Sequence, residues 1–144
     1  GNLEGIEAID MGGGYDKIQL TSGNDHLDLT GITVNGVELI DAGAGNDTIV
    51  ASTAHDVLRG GIGDDTFVFR TGSGHDTIVD FETGTGTAHD TVNLADAGFT
   101  SFTTLLGAAS EANGDTIITI DEDQSLTLAG VSLQHLTADH FLLI

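Results

Sequence analysis

The chain has 144 residues, 23 of them Asp or Glu against three Lys or Arg (Lys17, Arg59 and Arg70), giving a formal net charge of −20, with 21 Gly and neither Cys nor Pro. So few basic residues exclude the phosphate contacts of nucleic-acid binding and adhesion to an anionic membrane surface. No apolar run approaches the ~20 residues of a membrane-spanning helix, and no disulfide can form. Such charge in a compact domain repels itself. The acids must therefore lie in a disordered tract, on a solvated surface, or against cations, and their positions decide which. Without a starting Met or a leader pattern, the sequence reads as a domain of a longer protein.

From the start, the acids follow a frame. Gly5-Ile6-Glu7-Ala8-Ile9-Asp10-Met11-Gly12-Gly13-Gly14-Tyr15-Asp16-Lys17-Ile18 recurs 31 positions later as Gly36 to Ile49, with Gly43, Gly45 and Asp47 in matching places. Asp16 and Asp25 are nine apart, and each is followed two residues later by an apolar side chain, Ile18 and Leu27. Asp47, Asp56 and Asp65 continue at the same spacing. Gly60-Gly61-Ile62-Gly63-Asp64-Asp65-Thr66-Phe67-Val68 matches G-G-x-G-x-D-x-U-x, U being apolar. Asp76 follows in Gly72-Ser73-Gly74-His75-Asp76, two residues out of phase, and Asp90 is a weaker copy. Nine residues divide into a six-residue turn, which glycine permits, and a three-residue strand whose central apolar residue points inward. Two such units make one coil. One side then holds the turns at Asp16, near Val34-Asn35, at Asp56 and at Asp76. The other holds those at Asp25, Asp47 and Asp65, then the segment 82–90. The stacks expected are Asp47 on Asp65, Asp25 on Asp47, and Asp56 on Asp76.

Beyond Asp80-Phe81 the frame stops. Phe102, Leu105, Leu106 and Ala109 predict an amphipathic helix over Ser101–Ala112, stopped at Asn113-Gly114. Asp115–Ile120 and Gln124–Ala129 predict two strands joined by an acidic turn. Ser132–Ala138 predicts a helical turn and Phe141–Ile144 a last strand. The fold expected is all-β: a parallel β-roll over residues 1–90, with a C-terminal cap over 91–144 holding a short helix and an antiparallel hairpin. Terminal units that differ from the repeats close a solenoid's open end.

Stacked carboxylates and turn carbonyls are hard oxygen ligands, which suit Ca²⁺ with its ~6–8 flexible contacts better than Mg²⁺, while zinc would want Cys or clustered His. Several calcium ions and a largely unfolded metal-free chain are expected, because ion binding and folding become one event. His55, His75 and His89 each precede a repeat Asp at a variable turn position and are expected to face solvent. His135 and His140, five apart, suit no common helix face. Asp121-x-Asp123-x-Ser125 opens like an EF-hand loop, but Leu126 and Ser132 stand where Gly and Glu are needed. No nucleophile elbow, zinc-protease motif or phosphate loop is present, and the chain reads as a non-enzyme.

The repeats resemble the RTX (repeats-in-toxin) calcium-binding nonapeptides of haemolysins, serralysin-type proteases, lipases, alginate epimerase modules and adhesins, from about Gly5 to Asp90. The resemblance implies calcium ligation by Asp16, Asp25, Asp47, Asp56, Asp65 and Asp76. It also implies turns formed by Gly12, Gly14, Gly23, Gly43, Gly45, Gly60, Gly61, Gly63, Gly72 and Gly74. Members leave Gram-negative bacteria by type I secretion with an uncleaved C-terminal signal, and Asp139-His140-Phe141-Leu142-Leu143-Ile144 looks like such endings. The expected role is therefore the calcium-triggered folding and export module of a larger secreted or cell-surface protein, an adhesin or an exoenzyme. A polysaccharide-binding module is the alternative.

Overall fold

Turns that take six residues of every nine leave strands of three, and strands of that length wind this chain. The computed structural model describes residues 8–84 and 88–144, so Gly5, Ile6 and Glu7, which open the first long repeat, lie outside the described residues. Strands β1 (Ala8–Asp10), β2 (Lys17–Gln19), β3 (His26–Asp28), β4 (Thr33–Asn35), β5 (Leu39–Ala44), β6 (Thr48–Val50), β7 (Val57–Ile62), β8 (Thr66–Val68), β9 (His75–Ile78) and β10 (Thr91–Asn93) form a parallel solenoid. Successive strands alternate between two sheets. One runs β2-β5-β7-β9 and the other β3-β6-β8-β10, with β1 and β4 paired separately.

The register shows where the nine-residue unit governs. Ile40 faces Leu58 and Ile49 faces Phe67, each 18 residues on, or two nonapeptides. Earlier coils are longer: Ile18 faces Ile40 and Leu27 faces Ile49, 22 residues on. The extra length accommodates a third strand, β4, lying parallel to β1 with Val34 opposite Ile9. The two copies of the 31-residue repeat therefore do not stack, since Ile18 lies in one sheet and Ile49 in the other. The segment Val34-Asn35, expected in the stack beneath Asp16, pairs with Ile9-Asp10 instead.

The core is a set of ladders between the sheets. Leu27, Ile49, Phe67 and Val92 line one sheet, and Ile40, Leu58 and Ile78 the other, all buried. Leu29, Ala51, Phe69 and Leu94 make a second inward row on the first sheet. Each fully buried Leu, Ile or Phe contributes about 1.5–3 kcal/mol, which strands of this length cannot obtain singly.

The C-terminal end is closed as the hydrophobic pattern implies, with one exchange of helix for strand. Helix α1 spans only Phe102–Gly107, capped by Ser101, whose hydroxyl accepts the Thr104 N–H. Ala109–Ala112, predicted as its last turn, is instead strand β11, antiparallel to β12 (Asp115–Thr119). Asn113 and Gly114 take φ of 56° and 86°, so the dipeptide closes a two-residue hairpin rather than stopping a helix. Strand β13 (Ser125–Leu128) pairs antiparallel with β12 and parallel with β9, carrying Leu126 and Leu128 over the end of the roll. Two short 3₁₀ turns, Leu133–His135 and Ala138–His140, replace the single helical turn expected. The last strand, β14 (Phe141–Leu142), extends the other sheet beside β10.

Candidate metal centre

Each repeat Asp sits at the end of its turn, where the chain enters a strand, so parallel stacking places the Asp of one coil over that of the next. The contact is specific. The Asp25 N–H donates to Asp47 Oδ1 at 2.7 Å, the Asp47 N–H to Asp65 Oδ1 at 2.8 Å, and the Asp65 N–H to Asp90 Oδ1 at 2.9 Å. On the opposite side the Asp56 N–H donates to Asp76 Oδ1 at 2.9 Å, and the Asp16 N–H to a Glu38 carboxylate oxygen at 2.8 Å. All three expected stacks are thus present. Glu38 takes the place expected near Val34-Asn35, and Asp90 completes its ladder despite its degenerate turn.

In Asp47, Asp65, Asp76 and Asp16 the second carboxylate oxygen, Oδ2, is buried with no hydrogen-bond partner. Asp47, Asp65 and Asp76 are themselves 1–2% exposed. A carboxylate oxygen left bare in that way is costly unless something cationic meets it. The glycines let neighbouring coils approach closely at their backbone carbonyls. Gly61 and Gly63, with φ of 101° and 131°, lie so close over the Gly43 and Gly45 carbonyls that a Cβ on either would overlap the oxygen. Gly60 is small for another reason, because a Cβ there would overlap the Asp65 carboxylate.

Electrostatics agree with this geometry. Burial, reinforced by neighbouring carboxylates, pushes Asp76 up to about 8 and Asp65 up to about 6. The same causes push Asp90 up to about 7 and raise Asp47, and burial raises Asp56. Asp25 moves the other way, held down by hydrogen bonds from the Thr21 side chain and backbone N–H. Among the described residues no three His, Cys, Asp or Glu side chains converge as a metal cage. A cation between these coils must therefore draw on backbone carbonyls as well as Oδ2. That donor set consists of hard oxygens, fits calcium, and suits zinc poorly.

Other residues carry roles the nine-residue frame does not mark. Asp80 accepts the Gly60 and Gly61 N–H groups at 3.0 and 2.9 Å, clamping that turn from the following coil. The buried Asp41 carboxylate meets Lys17 at 3.5 Å and Arg59 at 3.7 Å, while Arg70 meets Asp96 at 3.4 Å. All three basic side chains are thus engaged by carboxylates. His135 and His140, which sequence spacing separates, line one cleft with His89 and Asp139. There the Thr137 N–H donates to His140 Nδ1 at 2.9 Å, which places the proton of a neutral ring on Nε2, and burial lowers the His140 pKa.

A family model described as "RTX calcium-binding nonapeptide repeat (4 copies)" matches residues 32–67 and 41–78. No curated protein sequence matches the chain. Among solved structures, the AlgE6R3 subunit of the Azotobacter vinelandii mannuronan C5-epimerase superposes with a TM-score of 0.60 at 24% identity, over 96% of this chain and 84% of that one. The AlgE6R2 subunit of the same epimerase gives a TM-score of 0.57 at 22% identity, over 90% and 92% of the two chains. The extracellular lipase LipA from Serratia marcescens gives 0.53 at 23% identity over 89% of this chain, which spans only 21% of the lipase. These likenesses show a shared fold. The family match covers residues 32–78, so that part of the parallel β-solenoid is matched as RTX calcium-binding nonapeptide repeats, in a chain whose fold is shared with these β-rolls.

Proposed function

We propose that this domain is a calcium-dependent folding module, in which Asp47, Asp65 and Asp76, with Asp16 at the first turn, ligate calcium through Oδ2 together with turn carbonyls. The observation that carries the reading is the set of buried, unpartnered Oδ2 atoms in glycine turns. Bound calcium supplies positive charge to acids that burial otherwise disfavours. The chain's own part is to bring two turns together, which only a formed coil does, so ligation and folding are one equilibrium. At the ~10⁻⁴–10⁻³ M affinities of extracellular modules, the chain stays open in a low-calcium cytosol and folds outside the cell.

This switch suits the export module of a larger secreted or surface protein, an adhesin or an exoenzyme, leaving by a type I apparatus. In the folded chain Phe141 is buried in β14 while Leu142 and Ile144 are exposed, so the Asp139–Ile144 ending is only partly covered by the fold. Binding of an anionic polysaccharide draws less support, since Lys17, Arg59 and Arg70 are all paired with carboxylates.

The test is a calcium titration of chelator-stripped protein followed by far-ultraviolet circular dichroism, with magnesium as control. A cooperative gain of β signal in calcium alone is expected. A spectrum already folded without calcium and unchanged by it would remove the coupling.

A further inference from the structure

Not every turn in the ladders leaves its carboxylate open. Thr21-Ser22-Gly23-Asn24-Asp25 and Ser52-Thr53-Ala54-His55-Asp56 share a hydroxyl residue four positions before the Asp. In the first turn Asp25 Oδ2 accepts both the Thr21 N–H at 2.7 Å and the Thr21 hydroxyl at 2.6 Å, while the Gly23 N–H donates to the Thr21 Oγ1 at 3.3 Å. In the second turn the Ser52 N–H donates to Asp56 Oδ2 at 2.8 Å and the Ser52 hydroxyl to Asp56 Oδ1 at 3.1 Å, while the Ala54 N–H donates to Ser52 Oγ at 3.0 Å. Two unrelated stretches of sequence thus both turn a hydroxyl residue onto the Asp that ends them, with both bonds on Oδ2 at Asp25 and one on each oxygen at Asp56. At the turns of Asp47, Asp65 and Asp76 the fourth position back is Gly43, Gly61 or Gly72, which carries no hydroxyl, and Oδ2 is left without a partner. The buried Ser73 hydroxyl nonetheless stands near Asp76 and works against the rise that burial imposes on it.

We propose that the turns Thr21–Asp25 and Ser52–Asp56 are sealed by their own hydroxyl and backbone N–H groups and take no calcium through Asp25 or Asp56. The roll then combines two kinds of turn: glycine turns that need the ion and hydroxyl turns that do not. What is closed is the carboxylate and not the backbone: the Thr21, Gly23 and Ala54 carbonyls still approach Gly43, Gly45 and Gly74 of the next coil, while Ser52, Thr53 and Ala54 themselves avoid positive φ. The hydrogen bonds to a buried anion do the stabilising there, since charge-assisted bonds are roughly twice as strong as neutral ones.

The inference rests on the calcium reading above, and one series separates the two. Asp25→Asn, Asp56→Asn and Asp65→Asn are compared by equilibrium dialysis for calcium bound per chain, with circular dichroism of the same samples. Asn keeps an acceptor for the Thr21 or Ser52 N–H, and the hydroxyl can rotate to accept the amide, so the sealed turns survive while a ligand charge is lost. D65N is expected to lose bound calcium or to weaken it by about tenfold or more. D25N and D56N are expected to bind as many ions as the unaltered chain, with midpoints within about twofold of it. Loss of calcium in D25N or D56N comparable to that in D65N would overturn the inference and leave the calcium reading intact. No change in any of the three, D65N included, would overturn both.

Discussion

Gly61→Ala is expected to prevent the roll from forming even in saturating calcium, whereas Gly72→Ala folds with a modest loss of stability. Both glycines have positive φ, 101° and 85°, so both substitutions carry the backbone penalty of a left-handed residue, about 1–2 kcal/mol. They differ in what surrounds the new methyl. At Gly72 nothing lies within 4 Å of it. At Gly61 it overlaps the Gly43 carbonyl, in a register where Gly43 and Gly61 are direct partners between β5 and β7. Relief requires the coils to separate where their carbonyls and the Asp47 and Asp65 carboxylates meet. That opens the backbone pairing and the proposed ion site together. Against a total stability of about 5–15 kcal/mol, the chain cannot absorb both losses. Thermal melts of the two variants in saturating calcium make the comparison, and equal midpoints would show that close approach of the coils is not what requires glycine.

The second large effect is on pH dependence, and its sign is opposite to that of most acidic domains. Asp76, Asp90 and Asp65 titrate near 8, 7 and 6 in the metal-free fold and near 3.8 when unfolded. Asp47 and Asp56 are shifted in the same direction. Between about pH 4 and 8 the metal-free fold therefore binds protons that the open chain does not. Stability held at low pH is lost as pH rises through the folded values. His140, whose pKa burial lowers, opposes this, since the open chain takes up its proton more readily. Asp25, Asp28 and Glu111, held down by hydrogen bonds, oppose it only around and below their ordinary values, at the bottom of this window. Chelated protein is expected to gain β structure when moved from pH 8 to pH 5. Because protons and calcium compete for the same oxygens, the calcium midpoint at pH 5.5 is expected to exceed that at pH 8. A chelated chain equally open at both pH values, with an unmoved calcium midpoint, would show that these acids are not the groups that oppose metal-free folding.

How far the sequence discloses the molecule differs along its length. From Asp47 to Asp65 the period is strict, and the coil of 18 residues, the inward Ile49 and Phe67, and the stacked carboxylates follow from counting. The first two coils resist counting, because β4 (Thr33-Val34-Asn35) follows a tight turn at Thr30-Gly31 rather than a repeat turn ending in Asp. Glu38 therefore meets Asp16 at a position no nonapeptide marks. In the cap, Phe102, Leu105, Leu106 and Ala109 have helical spacing, yet Asn113-Gly114 is also a strong signal for a two-residue hairpin turn, and pairing with β12 decided Ala109–Ala112. The hydroxyls of Thr21 and Ser52 were visible but not informative until the structure placed them on Asp25 and Asp56. Asp80 was visible only as the end of the frame, since its role as a clamp depends on which coil lies beside it.

The measurement that tests the account most directly is diffraction from crystals grown in calcium, collected where calcium scatters anomalously. The account predicts an anomalous peak between the turns Gly43–Asp47 and Gly60–Asp65, about 2.3–2.6 Å from a carboxylate oxygen and flanked by backbone carbonyls. The same coil spacing with no peak, and Asp65 Oδ2 satisfied by water or protein alone, would contradict it.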